Sequence, residues 1–202
     1  MITCMSDIIC VTSRKLCSGD FFKQLELIVD SGPRYIILRE KDLNEEEYGG
    51  LAEKVLKLFQ GNKTELFLHY YWKKALSLGV VNIHVPLNRL REMTDTDKKN
   101  FSCIGVSCHS VDDALEAVKL GANHIIAGHV FMTDCKKGLA PRGLDFLRDV
   151  CYSVDVPVYA IGGITPENIS AVRNCGAAGA CVMSGFMRCS DPKVFIGEFD
   201  RK

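Results

Sequence analysis

Eight short apolar runs, separated by longer segments with helical spacing, constrain the fold of this chain more than any other feature. The central part of several runs is apolar throughout, as in Ile104-Gly105-Val106, which suits parallel strands covered on both faces. Such alternation is typical of repeated βα units and not of sheets built from hairpins. The runs begin near Ile8, Tyr35, Leu66, Val81, Cys103, His124, Val158 and Ala180.

Eight βα units in 202 residues match the lower size limit of a closed (β/α)8 barrel. The sequence therefore predicts the α/β class and a TIM barrel that occupies residues 1–202 as a single domain. An open doubly wound sheet is the alternative, and an edge strand among the eight would be its signature.

Helix boundary signals support the βα units. Ser110 can cap the fifth helix and Gly121 can end it, while Thr165-Pro166-Glu167 is expected to open the seventh with a cap residue and an N1 proline. The stretch from Arg89 to Asn100 is polar, so we expect a short or irregular helix in the fourth unit.

Charge and hydropathy indicate a small-molecule partner. Lys+Arg and Asp+Glu number 25 each and form no basic block, which argues against nucleic-acid and membrane partners. No apolar run approaches the roughly 20 residues that cross a bilayer, and the N-terminus lacks a signal-peptide pattern. We therefore expect a cytoplasmic protein, and a homo-oligomer is compatible with this sequence.

The chain has ten cysteines but no CxxC pair of the kind that builds zinc or redox sites. Cys10, Cys103, Cys108 and Cys181 lie inside apolar runs. We expect reduced, mostly buried thiols, with no metal site and no cofactor.

Small residues follow the last two strands. Gly162 and Gly163 end the seventh run, and Met183-Ser184-Gly185 ends the eighth. In such barrels functional groups follow the strands, and glycines at these two ends let backbone N–H groups approach a phosphate. The alternative is that the glycines only make tight turns.

Cations and imidazoles follow other strands. Arg39 and Lys41 alternate to one side after the second run and can bind an anion, although an exposed surface pair is the alternative. His129 ends the sixth run before a loop with Thr133 and Lys136, where a barrel keeps proton-transfer groups. A satisfied core histidine is the other reading of His129.

The fifth strand ends in Ser107-Cys108-His109-Ser110, in which Ser107 and His109 alternate to the same side and can reach a ligand. Helix capping by Ser110 and a supporting role for His109 explain the stretch equally well. His69 and His84, which we expect to end strands three and four, are ambiguous in the same way, and His124 is expected at the opposite, structural end of the barrel.

Four stretches together resemble the thiamin-phosphate synthase superfamily, and the likeness covers nearly the whole chain. The resemblance implies a barrel enzyme of thiamin biosynthesis that binds a small phosphorylated thiazole metabolite. The stretches are Leu38-Arg39-Glu40-Lys41, Gly105-Val106-Ser107-Cys108-His109-Ser110, Gly128-His129-Val130-Phe131 and Ala160-Ile161-Gly162-Gly163-Ile164-Thr165.

The synthase branch of this superfamily joins a pyrimidine pyrophosphate to a thiazole phosphate and needs Mg2+, held by two acids. By the family pattern those acids would fall at Tyr70 and Arg89, and a glutamine would stand at Ile37. The usual proline of strand six is His129 here, and a threonine before the loop lysine is Cys135.

These departures resemble the second branch, the TenI-type thiazole tautomerases, whose pattern includes Thr133-Asp134-Cys135-Lys136-Lys137-Gly138-Leu139. The resemblance implies a metal-independent isomerase that shifts a proton so that a carboxythiazole phosphate becomes aromatic. His129 would carry the proton, the small residues after strands seven and eight would bind the phosphate, and Arg39, Lys41 or Lys136 would bind the carboxylate. An Mg-dependent synthase and a non-catalytic regulatory protein are the alternatives.

Overall fold

A computed structural model describes residues 6–201. Its eight strands are parallel, and β8 pairs with β1 to close the barrel. The predicted (β/α)8 TIM barrel is confirmed, and closure excludes the open sheet. Each strand begins within one residue of its predicted start. The strands are β1 Ile8–Val11, β2 Tyr35–Leu38, β3 Glu65–His69, β4 Asn82–Pro86, β5 Cys103–Cys108, β6 His124–Gly128, β7 Val158–Ile161 and β8 Gly179–Val182.

Helices follow the strands and surround the barrel. In residues 6–201 the α-helices are α1 Phe21–Ser31, α2 Glu45–Leu56, α3 Trp72–Ser77, α4 Leu87–Glu92, α5 Asp95–Lys99, α6 Val111–Lys119, α7 Gly143–Ser153, α8 Ile169–Arg173, α9 Ser184–Arg188 and α10 Pro192–Asp200. Short 3-10 helices lie at Arg14–Leu16, Lys57–Phe59 and Asp134–Lys136.

Three of the four helix predictions are confirmed, including the end of α6 just before Gly121, whose φ is 99°. The Ser110 hydroxyl accepts the Asp113 N–H at 3.0 Å and caps α6, and the polar fourth unit is divided into α4 and α5. The predicted start of the seventh helix is wrong, because α8 begins at Ile169. The Asn168 side chain accepts the Thr165 N–H, so the Thr165-Pro166-Glu167 segment forms a turn ahead of the helix.

Strand alternation divides the buried side chains into two layers. One layer packs between the strands and the helices, as Ile104 and Val106 do on β5. The other fills the barrel itself. Its buried hydrophobic members are Ile9, Val11, Ile37, Phe67, Ile126, Tyr159 and Cys181.

Two buried polar side chains, Tyr48 and Glu40, hold the chain at the open end of the barrel, where β2 and β3 end. The Tyr48 hydroxyl donates to the Leu38 carbonyl at 2.6 Å and accepts the His69 N–H at 2.7 Å. The Glu40 carboxylate accepts hydrogen bonds from the Thr12 hydroxyl and the Arg14 backbone. The segment after β2 is thereby held from both sides.

The nine cysteines in the described part of the chain are free thiols, and Cys4 lies outside it, as do residues 1–5 and 202 of the predicted domain. The expectation that most thiols are buried is wrong, because four of these nine are buried, four are half-buried and one is exposed. Cys10, Cys108, Cys175 and Cys181 are buried, whereas Cys135 is exposed in the loop after β6. Across residues 6–201, no helix has the length and apolarity needed to cross a membrane.

Candidate active site

A cavity of about 280 Å³ opens at the carboxyl ends of the strands. Eleven of the twelve site residues predicted from the sequence line it. They are Arg39, Lys41, Ser107, His109, His129, Thr133, Lys136, Gly162, Gly163, Met183 and Ser184. They lie together because all strands of a parallel barrel end at the same face of the barrel.

Three cationic side chains lie together in the cavity wall: Arg39, Lys41 and Lys136. Burial lowers the pKa of Arg39. Burial also lowers the pKa of Lys41, and the positive charges of Arg39 and Lys136 lower it further. Since no Asp or Glu of residues 6–201 lines the cavity, this wall is suited to bind an anion.

His129 is 6% exposed and lies in the wall of the cavity. Its Nε2 is 3.3 Å from the carbonyl oxygen of Leu139. A carbonyl can only accept, so this contact assigns the hydrogen to Nε2 and leaves the lone pair on Nδ1. In a neutral imidazole with this tautomer, Nδ1 is the nitrogen that can accept a hydrogen bond or a proton.

The glycines after β7 are required by packing against the loop that follows β6. Gly162 has a φ of 103°, and a Cβ there would lie 2.4 Å from the Cβ of His129. Gly163 has a φ of 65°, and a Cβ there would lie 2.4 Å from the Met132 carbonyl. Close packing and positive φ values therefore account for both glycines, and both also line the cavity.

Ser184 begins α9 and lines the cavity, and the first N–H groups of a helix have no partner within it. Gly185 is the one predicted site residue that the structure does not bring to the cavity wall. A Cβ on Gly185 would lie 2.4 Å from the ring of Phe195. Contact with α10 therefore explains the absence of a side chain at Gly185.

Ser107 and His109 both line the cavity, and each has a defined partner. Ser107 Oγ is 2.7 Å from Nε2 of His84, and Nδ1 of His109 is 2.7 Å from the carbonyl oxygen of Gly128. His84 lies in the middle of β4 and not at its end, so the predicted strand-end position was wrong. His69 ends β3 and lines the cavity, and burial followed by the charges of Arg39 and Lys41 lowers its pKa to about 3.

A second cavity of about 250 Å³ adjoins the first and shares Lys41, His69 and Pro86 with it. Beside it, the guanidinium of Arg89 lies 4.5 Å from the ring centroid of Tyr70 and 4.3 Å from that of Trp72. Arg89 also forms an ion pair with Glu92. The two positions at which the synthase pattern has acids are therefore joined in one cation–aromatic cluster.

Sequence reasoning missed several residues of the first cavity. Pro86, Cys135 and Thr165 line it beside the predicted groups, and apolar side chains from inside the barrel form its floor. Strand alternation was the available signal, because it places Val11 and Ile126 on the same inner face as the strand-end groups.

Comparison with known proteins agrees with the fold. The family model described as thiamine monophosphate synthase matches residues 8–186. A thiamine-phosphate synthase of Clostridium acetobutylicum is 33% identical over 183 residues, which cover 88% of this chain and 85% of the relative. A putative thiamine-phosphate synthase 2 of Aquifex aeolicus is 34% identical over 178 residues, which cover 88% of this chain and 95% of the relative.

Among solved structures, thiamine phosphate pyrophosphorylase from Pyrococcus furiosus superposes with a TM-score of 0.80 at 26% identity, covering 96% of this chain and 93% of that one. A 3-hexulose-6-phosphate synthase shares the fold with a TM-score of 0.69 at 16% identity, covering 96% and 98%. The family match extends from β1 into α9 and so includes every strand of the barrel. The chain belongs to the thiamine monophosphate synthase family.

Proposed function

We propose that the protein is a thiazole tautomerase, which aromatises a carboxythiazole phosphate by moving a proton. The names of the relatives favour a synthase instead. The observation that carries the proposal is His129, an imidazole in the cavity wall whose Nε2 is engaged by Leu139 and whose Nδ1 keeps its lone pair. The synthase pattern has a proline at this position, and proline cannot transfer a proton.

The chemistry needs one group that accepts and returns a proton. The C2–H bond of the substrate ring breaks, and its electron pair enters the ring system as the exocyclic double bond shifts. A new C–H bond then forms at the exocyclic carbon, so no atom is gained or lost. Imidazole exchanges protons near neutral pH, and we assign both transfers to His129.

The cavity offers binding groups for both anionic ends of such a substrate. The backbone around Gly162 and Gly163, with Ser184 at the start of α9, lies on the side proposed for the phosphate. Arg39, Lys41 and Lys136 lie together and can neutralise the carboxylate. Both ends would then be held while the proton moves.

The residues do not fit the Mg2+ that a synthase uses. Arg89 brings a positive charge to one of the two acid positions, and the ring of Tyr70 occupies the other. Hard cations need oxygen ligands, and a guanidinium repels them. Within residues 6–201, no group of three or more His, Cys, Asp or Glu side chains is arranged to hold a metal ion.

A thiamin-phosphate synthase is the second candidate. The names of the relatives favour it, and the cavity of about 250 Å³ beside the first offers volume for a second substrate. This reading requires pyrophosphate to leave without the metal-binding acids of the synthase pattern.

A pair of assays on the purified protein tests the proposal. The first follows conversion of the non-aromatic carboxythiazole phosphate to its aromatic tautomer, and the second follows thiamin phosphate formation from the pyrimidine pyrophosphate and the thiazole phosphate with Mg2+. We expect turnover in the first assay only. Turnover in the second assay alone would establish the synthase, and tight binding of the thiazole phosphate without turnover would indicate a regulatory protein.

A further inference from the structure

The sheet register places three histidines and one glycine side by side inside the barrel. His69 on β3 pairs with His84 on β4, His84 pairs with Gly105 on β5, and Gly105 pairs with His124 on β6. The ring centroids of His69 and His84 are 6.1 Å apart, and those of His84 and His124 are 6.0 Å apart. The row leads from the cavity wall at His69 to the start of β6.

Gly105 leaves a gap in this row at which two imidazoles converge. A Cβ on Gly105 would lie 2.2 Å from Nε2 of His124 and 2.6 Å from Nδ1 of His84. Both nitrogens are buried, and neither has a hydrogen-bond partner among residues 6–201. Because an unpaired buried nitrogen is costly, we expect one ordered water to bridge the two.

The outer nitrogens of the same two rings already have partners. Nδ1 of His124 is 3.6 Å from Sγ of Cys103, and Nε2 of His84 is 2.7 Å from Oγ of Ser107. We propose that His124 and His84 are positioning residues, which form a hydrogen-bond relay from Cys103 to Ser107 and turn the Ser107 hydroxyl hydrogen towards an anionic ligand. Only the identity of that ligand rests on the proposed function.

The direction of the relay follows from the strengths of its donors and acceptors. A thiol is a weak acceptor, whereas an unprotonated imidazole nitrogen is a good one, so Cys103 donates to Nδ1 of His124. Nε2–H of His124 then donates to the bridging water, the water donates to Nδ1 of His84, and Nε2–H of His84 donates to Ser107. The Ser107 O–H remains free, which suits the anion that the cationic wall of the cavity attracts.

A relay of this kind requires neutral rings with one hydrogen each. Burial, then the charge of Arg34, lowers the pKa of His124 to about 4. Burial also lowers the pKa of His84, with further contributions from His124, His69 and Arg39. The thiol keeps its hydrogen as well, because burial and Glu65 raise the pKa of Cys103 to about 11 despite Arg34.

Imidazole nitrogen NMR on the ligand-free, 15N-histidine-labelled protein tests the relay without any ligand. Signals are assigned by their loss in His84→Gln and His124→Gln. We expect both rings in the Nε2–H form at pH 7, with unprotonated Nδ1. A hydrogen on Nδ1 of His84 would overturn the proposal, because Ser107 would then be the donor in its contact with His84.

Affinity for the aromatic carboxythiazole phosphate provides the second test. Ser107→Ala and His84→Leu should each weaken binding about tenfold, the effect of one hydrogen bond to a charged group. The double variant should bind no more weakly than Ser107→Ala, and His84→Gln, whose amide N–H can replace Nε2–H, should restore most of the loss. If the double variant instead lost affinity by the product of the two single losses, the two residues would act independently and the relay would be contradicted. Failure of the unmodified protein to bind this compound would count against the proposed function, while the NMR result would still decide the relay.

Discussion

Nδ1 of His109 lies 2.7 Å from the carbonyl oxygen of Gly128, the residue that precedes His129 in the chain. Because a carbonyl only accepts, Nδ1 of His109 carries the hydrogen. His109 therefore holds the backbone from which the proposed catalytic imidazole projects, while its own Nε2 keeps a lone pair. The same side chain can support the site through Nδ1 or act on the ligand through Nε2.

Two substitutions at His109 separate these roles. Asn places an N–H where Nδ1 stands and has no counterpart of Nε2, whereas Leu removes both. If His109 supports the site through Gly128, turnover in His109→Asn should stay within about threefold of the unmodified protein, and His109→Leu should lose about tenfold, the cost of one hydrogen bond. Equal, large losses in both variants, measured by single-turnover kinetics, would make Nε2 the working atom.

Metal independence is expected because a guanidinium and an aromatic ring stand where the synthase pattern has acids. Isomerisation rates measured in EDTA and in Mg2+ should agree within error. A tenfold loss in EDTA that added Mg2+ restores would contradict the tautomerase reading of Tyr70 and Arg89.

The proposed phosphate site is tested better at Ser184 than at Gly163. A side chain at Gly163 would collide with the Met132 carbonyl, so that a Gly163→Asp variant changes the loop whether or not phosphate binds there. Ser184→Asp adds negative charge at a residue that already lines the cavity. We expect it to weaken binding of the thiazole phosphate at least tenfold by calorimetry.

The matched control for Ser184→Asp is Ser190→Asp, which adds the same charge at an exposed serine outside the cavity wall. This control should bind the ligand as the unmodified protein does. Equal affinity in both variants would place the phosphate elsewhere.

Stability should fall in mild acid because of the buried histidines. Burial lowers the pKa of His69 to about 3 and of His124 to about 4, and lowers that of His84 as well. The unfolded chain binds protons first, near pH 6.5, so stability is full above that value and is lost as pH falls towards the folded values. Between pH 7 and pH 5.5 the loss should be about 1 kcal/mol per histidine.

Urea unfolding at the two pH values measures this loss, and His124→Phe provides the comparison. The variant should lose about one third less stability between pH 7 and pH 5.5 than the unmodified protein, whatever its stability at pH 7. Equal free energies of unfolding at both pH values in the unmodified protein would mean that folding does not lower the pKa values of these rings.

The barrel was predictable because its signal is local and repeated. Each strand is a short apolar run, and the parallel arrangement brings residues as distant in sequence as Arg39 and Ser184 to one mouth. Alternation along β5 correctly placed Ser107 and His109 on one side. These inferences need only two facts: side chains alternate along a strand, and all strands of the barrel run in the same direction.

The remaining features depend on register and packing, which no local pattern encodes. The convergence of His84 and His124 at Gly105 arises from the stagger between β4, β5 and β6. The sequence predicted that Gly185 binds the ligand, whereas in the structure Gly185 packs against Phe195 of α10. In both cases the neighbour that requires a glycine belongs to another strand or helix. The sequence shows the glycine but does not show which side chain packs against it.

Proton transfer by His129 is the sharpest expectation, since it separates chemistry from binding. Substitution by Asn removes the imidazole, and substitution by Gln removes it while keeping an N–H that can reach towards the Leu139 carbonyl. Both variants should retain the fold and bind the thiazole phosphate within about threefold of the unmodified protein, yet lose about 10² to 10⁴ in single-turnover rate, the usual contribution of a positioned acid–base group. If His129→Gln keeps the rate that His129→Asn loses, the contact with the Leu139 carbonyl is what the reaction needs, and His129 only orders the loop after β6.

A full chemical rate in both folded variants would remove the imidazole of His129 from the mechanism. Nε2 of His109 would then become the candidate base, because His109 also lines the cavity.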